Sequence, residues 1–301
     1  MQTQKTARLG RLALLLTTLI WGSSFIILKA TLDSVPTLWV LAFRFTGAAL
    51  LMLLFGFRNL KKLDKGYLKS GLVMGVALAA AYVVQTYGLV YTTPGKNAFL
   101  TATYCVLVPF LWWAFYKKRP DKYNVAAAMT CIAGMALVSL QGDLSVNVGD
   151  VLTMCCGLFY ALHIIATSRA VENRDPVLLS MLQFAVAAVI CWVSAPLASP
   201  FPTAVPASAW WAIVYLCFMC TGICFLLQTY GQKYTPPQTT AILLTLESVF
   251  GTLLSVIFYH ERLNVQVCVG FVLIFLSVII SETKLEFLRN RRGAVEQPVQ
   301  Q

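Results

Sequence analysis

The chain has 301 residues, of which 58% are hydrophobic and only 12% charged, and its mean hydropathy is +0.73. A soluble domain carries about 25% charged residues, so this composition excludes a soluble fold, whose surface it could not cover, and a disordered chain, which it would collapse. The net charge of +11 and pI near 9.3 exclude less. No basic stretch interleaves with exposed aromatics as nucleic-acid binding would require, and basic loops beside a membrane account for the charge.

A helix needs about 20 apolar residues to cross the hydrocarbon, and ten runs meet that need. The first, 12–32, follows Lys5, Arg8 and Arg11. It is too long for a signal peptide and lacks a small-residue cleavage site, so it reads as a retained helix behind a tail of residues 1–11. Thr17, Trp21, Ser24 and Leu28 share one of its faces. The second run, 37–57, holds Arg44 about seven residues from its end, roughly 10 Å deep at 1.5 Å per residue. Arginine keeps its charge, so Arg44 needs an acid, a ring of carbonyls or an anionic substrate, or must snorkel to the headgroups. The third run, 70–92, brings Gln85 to a similar depth.

The fourth run, 94–116, opens with Pro94 in its first turn. Lys96 stands near its mouth, and Asn97, Thr101, Tyr104 and Val108 form one face. Pro109 predicts a kink. After the fifth run, 123–141, the sixth, 150–169, aligns Cys156, Tyr160, His163 and Thr167. The seventh, 177–197, contains Gln183 and leads into a loop from Pro196 to Pro206 that has no Lys or Arg. The eighth, 208–231, spaces Cys217, Cys220 and Cys224 by three and four. Thiolates select soft metals, but packing is the preferred reading. The ninth, 237–259, opens on Pro237 and lines up Thr240, Leu244, Glu247, Gly251 and Ser255; the tenth is 265–283. All nine cysteines fall inside these runs, which is not a disulfide framework.

Lys and Arg set the orientation. With the N-terminus inside, nineteen of the 23 basic residues fall on inner segments, three (Lys29, Lys96, Arg262) at outer ends, and Arg44 within a span. Both termini are therefore expected in the cytoplasm, with the C-terminal tail at 284–301. The membrane expected is the plasma (inner) membrane.

An internal repeat accompanies this asymmetry. At an offset of 143, Gln85–Pro120 aligns without gaps to Gln228–Leu263, and 14 of 36 positions match, beginning with the tetrad Gln-Thr-Tyr-Gly at 85 and 228. At an offset of 139, Trp21 and Ser24 fall against Tyr160 and His163, and Arg44-Phe45 against Gln183-Phe184. The repeats are 12–141 and 150–283. Five spans are an odd number, so the second copy must cross the membrane in the opposite sense, a recurrent construction in secondary transporters. The expected fold is an all-α integral membrane protein with ten transmembrane helices in two inverted five-helix repeats.

Ile20-Trp21-Gly22-Ser23-Ser24-Phe25, Arg44-Phe45, Leu246-Glu247-Ser248-Val249-Phe250, Glu261-Arg262-Leu263 and Gly270 together make the chain resemble the drug/metabolite transporter superfamily, EamA-type branch. Ser248 and His260 depart from the Pro and Gly common there, and Lys117-Lys118-Arg119 stands in place of Gly-Glu-Arg. The resemblance implies a central cavity and export or exchange of small metabolites.

Polar groups in hydrocarbon are costly and should face a cavity or a partner. The expected substrate-binding residues are Trp21, Ser24, Arg44, Gln85, Asn97, Tyr104, Tyr160 and Gln183; helix packing is the competing use of such residues. Glu247 is the only acid deep in a span, near 12–15 Å, and His163 lies near 9 Å from the same side. The two could meet and exchange a proton as access alternates, so they are the expected coupling site. Pro94-Gly95-Lys96-Asn97 lacks P-loop spacing, so the drive is a proton, an ion or a counter-substrate. With two histidines and no acid dyad in the spans, an enzyme is not expected, nor a metal or cofactor. A receptor or scaffold and an intramembrane enzyme are the alternatives to a transporter of amino acids, drugs or similar amphipathic solutes. Partners are the small-molecule substrate and the lipid bilayer, with no nucleic acid; the oligomeric state is open.

Overall fold

The computed structural model describes residues 2–139, 147–259 and 265–284. Within them the chain is helical throughout. α1 is Gln2–Leu32, α2 Thr37–Gly56 and α3 Lys65–Val90. Next come α4 Pro94–Thr101, α5 Tyr104–Tyr116 and α6 Lys122–Ser139. α7 is Val148–Ala170 and α8 Pro176–Ala198. α9 Ala207–Tyr215 runs through a π-helical stretch, Leu216–Ile223, into α10 Cys224–Tyr234. The series ends with α11 Pro237–Leu244, α12 Leu246–Tyr259 and α13 Val265–Thr283. Among the described residues, eight helices are long and apolar enough to cross a membrane. α6 and α13, on the fifth and tenth runs, have 18 and 19 residues and are not among the eight. His260 to Leu263 and the tail from 285 lie outside the described residues.

Residues 2–11 are not a separate tail but the first turns of α1. No proline or acid interrupts the stretch, and Gly10 packs against Gly231 of α10: a Cβ on Gly231 would come within 2.8 Å of the Gly10 carbonyl. A second glycine contact of the same kind joins α3 to α7, where a Cβ on Gly149 would lie 2.7 Å from the Gly88 carbonyl. Small residues let helix backbones approach this closely in a membrane.

The fourth run is broken, and not where Pro109 predicts. Pro109 sits inside α5; the break is at Ala102 and Thr103. The ninth run breaks at Thr245, which is Ala102 plus 143, although Thr252 stands where Pro109 would. Proline is therefore not the shared cause. At both breaks the backbone tightens to i→i−3 bonds, Ala102 N to Phe99 O at 3.0 Å and Thr245 N to Ile242 O at 3.2 Å. A threonine hydroxyl also takes a carbonyl three residues back, Thr103 to Leu100 at 2.9 Å and Thr245 to Ile242 at 2.6 Å. Such local side-chain bonds compete with the helix ladder.

α2 packs on α8, and α6 on α13. α3 packs on α7 as α1 packs on α10, and α4 and α5 lie against α7 as α11 and α12 lie against α1.

The α6–α13 contact is tied at one end by polar bonds. Asp121 accepts from the Asn124 N–H at 2.8 Å and from Lys284 Nζ at 2.9 Å, and Ser281 Oγ donates to Asn124 Oδ1 at 2.9 Å. Burial pushes the Asp121 carboxyl up, but the Asn124 N–H and the Lys284 ammonium outweigh it and hold it below the usual carboxylate range. A depressed folded value means its stabilisation is complete above the unfolded pKa and is lost as pH falls through the folded one. Asparagine keeps the cap and loses only the half-exposed ion pair, so Asp121→Asn should lower stability in detergent at neutral pH by about 0.2–1 kcal/mol. The gap from wild type should close below about pH 4. Thermal unfolding across pH 3–7 measures this; a gap that does not change with pH would mean that the carboxylate charge contributes nothing.

Candidate functional site

A cavity lies where α1, α3, α7, α10 and the two broken helices converge. Its volume is about 480 Å³. Fourteen residues line it: Trp21, Ser24, Phe25, Leu28, Arg44, Tyr82, Gln85, Thr101, Tyr104, Tyr160, Ile164, Gln228, Leu244 and Glu247.

The helix breaks shape this lining. The turn at Ala102 swings α5 so that Thr101 and Tyr104 both face inward, and the turn at Thr245 does the same for Leu244 and Glu247. Tyr104 Oη donates to Glu247 Oε1 at 3.0 Å, joining the two broken helices at positions 143 residues apart.

Arg44 is 1% exposed and Glu247 5%. Arg44 Nε donates to Thr221 Oγ1, its Nη2 to Tyr82 Oη at 3.3 Å, and its guanidinium lies 4.7 Å from the Tyr82 ring centre. Among the described residues, neither charge has an ion-pair partner within 4.0 Å. A buried charge needs compensation, and here a guanidinium and a carboxyl group face one cavity. The π-helical stretch serves this arrangement. Its wide turn lets Thr221 bond Leu216 O at 2.8 Å while receiving Arg44, and leaves Cys220 O to accept Trp21 Nε1 at 2.7 Å. Cys217 Sγ lies 3.3 Å from Arg44 O, so this cysteine packs against α2, while Cys224 packs against Thr17 of α1.

Gln85 is held rigidly. Its Nε2 donates to Thr101 Oγ1 at 2.9 Å, and its Oε1 accepts from Tyr160 Oη at 2.8 Å. Tyr82, Tyr104 and Tyr160 stand edge to face, with ring centres 5.7 and 6.3 Å apart. The result is an aromatic wall with an arginine, a carboxylate and an oriented amide set into it.

A profile of the EamA-like transporter family matches residues 8–140 and again 147–283. The chain belongs to the EamA-like transporter family. An uncharacterized transporter of Archaeoglobus fulgidus is 35% identical over 274 residues, covering 89% of this chain and 84% of that one. The uncharacterized transporter YoaV of Bacillus subtilis is 21% identical, covering 90% and 95%. A crystal structure with 17% identity superposes with a TM-score of 0.75 over 93% of this chain and 98% of that one, which shows a shared fold. The protein is thus a multi-pass membrane protein of a transporter family.

Within this EamA fold, the structure brings together Trp21, Ser24, Arg44, Gln85, Tyr104, Tyr160 and Glu247 from the expected set, and leaves out three. Asn97 is buried behind the lining, donating to Gln85 O at 3.2 Å and Thr153 Oγ1 at 2.8 Å. His163 and Gln183 bond each other, Nε2 to Oε1 at 2.7 Å, with the Phe225 ring against the imidazole. The expected meeting of His163 with Glu247 does not occur: α8 supplies His163 with a partner on its own side, and Tyr104 takes the carboxylate. Lys96, read as interfacial, pairs with Asp150 at 2.6 Å, and Asp150 also accepts from Thr92 at 3.1 Å.

Sequence reasoning passed over Tyr82 and Gln228. Tyr82 lies one turn before Gln85 on the same face of α3. Gln228 opens the second Gln-Thr-Tyr-Gly tetrad, so the repeat that singled out Gln85 already pointed to it.

Proposed function

We propose that the protein is a secondary-active transporter that exports or exchanges small amphipathic metabolites by alternating access. Amino acids and drug-like solutes carrying complementary charge are the substrate class. It is built from ten transmembrane helices in two inverted five-helix repeats, with both termini in the cytoplasm and the chain in the plasma (inner) membrane.

The observation that carries this reading is the pairing within the cavity wall. Ten of the fourteen lining residues fall into five pairs at the repeat offsets: Trp21 with Tyr160 and Phe25 with Ile164 at 139, and Gln85 with Gln228, Thr101 with Leu244 and Tyr104 with Glu247 at 143. A site built twice from equivalent positions lies on the axis relating the copies. Each copy can then adopt the other's conformation and open the site to the other side. The reciprocal glycine contacts and the matched helix pairings support the same axis.

Purified protein in liposomes loaded with one unlabelled solute from a panel of amino acids and aromatic amines should accumulate the labelled solute by counterflow. Binding of a solute without any flux across the panel would favour a receptor. The orientation has its own check. Ser208→Cys should react with an impermeant thiol reagent in intact cells, whereas Lys62→Cys and Asn173→Cys should react only after permeabilisation. The opposite pattern would reverse the topology.

A further inference from the structure

A second, larger concavity lies on the outside of the helix bundle, away from the transport cavity. It is an open groove of about 1080 Å³ between α3, the end of α5 and α7. Its wall is apolar: Leu72, Val76 and Ala80 run along one side, Phe115 and Tyr116 close one end, and Ala166 lies on the other side. Leu72, Val76 and Phe115 are about half exposed. From Leu72 to Ala80 the groove runs eight residues, about 12 Å at 1.5 Å per residue. That is close to the depth of one leaflet of a hydrocarbon core about 30 Å thick.

The charge around the groove is one-sided. Lys69 is seven residues, or two turns, before Val76 and shares its face of α3. Arg169 is one turn beyond Ala166 on α7, and its guanidinium lies 4.9 Å from the ring centre of Tyr116. Lys117, in a left-handed conformation with φ 56°, ends α5 at the same place, with Lys118 beside it. α3 and α7 carry no Lys or Arg towards their other ends, and α5 itself has none. Glu172 shares the Arg169 guanidinium at 2.7 Å, but both side chains are nearly half exposed. An ion pair that exposed is weak and leaves the guanidinium free to turn to a stronger anion.

We propose that this groove is a binding site for an anionic phospholipid, with one acyl chain along α3 and the phosphate held by Arg169, Lys69 and the Lys117-Lys118 pair. A slot as deep as one leaflet suits an acyl chain, and basic pockets between membrane helices on one side suit anionic headgroups. Surrounding bulk lipid needs neither the concavity nor the collar drawn from three helices. The site is distinct from the transport cavity, and its occupancy is measured without transport.

The test is native mass spectrometry of the full-length protein in detergent, titrated with dioleoyl-phosphatidylglycerol or dioleoyl-phosphatidylcholine. Wild type should retain the phosphatidylglycerol adduct with a preference of roughly ten- to thirtyfold, the size two basic contacts give at a membrane surface. The double variant Lys69→Gln, Arg169→Gln should lose the preference, and Arg169→Lys should keep most of it. Ala166→Trp, which fills the groove, should weaken binding of both lipids. Equal retention of the two lipids by wild type would overturn the proposal, as would an unchanged preference in the double variant. Displacement of the adduct by inorganic phosphate alone would also overturn it, because it would reduce the site to a headgroup contact without an acyl slot.

Discussion

Arg44→Met is expected to weaken transport ten- to hundredfold while leaving the protein at least as stable as wild type. The guanidinium is buried, faces the cavity and, among the described residues, has no carboxylate within ion-pair reach. Its neighbours, Thr221 and Tyr82, are neutral. Holding a charge there costs several kcal/mol against an apolar side chain of similar size, so methionine should raise the unfolding temperature or leave it unchanged. A substrate anion that completes the arginine's bonding would lose a charge-assisted contact of about 1.5–3 kcal/mol, a ten- to hundredfold loss of affinity. Arg44→Lys should not rescue it, because an ammonium cannot fork between Thr221, Tyr82 and a ligand as a guanidinium does. Counterflow in liposomes and thermal unfolding in detergent measure the two effects separately. If Arg44→Met unfolds or fails to accumulate, the arginine holds α2 against the π-helical stretch and has no claim as a substrate contact.

The second large effect is expected at Glu247. Glutamine keeps its shape and can still accept from the Tyr104 hydroxyl at 3.0 Å, but it can neither carry charge nor exchange a proton. Under the coupling reading, Glu247→Gln should reduce uptake driven by an imposed pH gradient roughly tenfold or more. Counterflow exchange, which needs no net proton movement, should persist. Tyr104→Phe removes only a neutral donor and should reduce both modes less. His163 is bonded to Gln183 and stands apart from the cavity lining, so His163→Asn should leave the pH dependence unchanged and act on stability alone. Uptake by Glu247→Gln with the pH profile of wild type would remove Glu247 from coupling and leave it as the anchor for Tyr104.

Much of this protein is legible in the chain alone, because a bilayer makes strong local demands. Each crossing segment must satisfy its own backbone, so the apolar runs come out helical near the expected bounds, and among the described residues eight are long and apolar enough to cross a membrane. The repeat at offsets 139 and 143 is equally local, and the membership of the EamA-like family agrees with the motifs at Trp21, Arg44 and Glu247. The burial of Arg44 and Glu247 was also readable, since an ionisable residue deep in a span must face inward or find a partner.

Contacts that depend on how the helices are rotated and matched were decided only by the tertiary structure. Hydrophobic periodicity is weak when lipid is as apolar as the core, so the sequence cannot say which face of a run meets which neighbour. Asn97 and Gln183 therefore read like Gln85 but turn to Thr153 and His163 instead of the cavity. His163 and Glu247 have similar depths, yet helix pairing gives each a different partner. The breaks at Ala102 and Thr245 coincide with threonine hydroxyls bonded back to their own helix, not with the visible Pro109. The π-helical stretch sets Thr221 against Arg44 and Cys220 O against Trp21, contacts to α2 and α1 that the sequence of the eighth run does not announce.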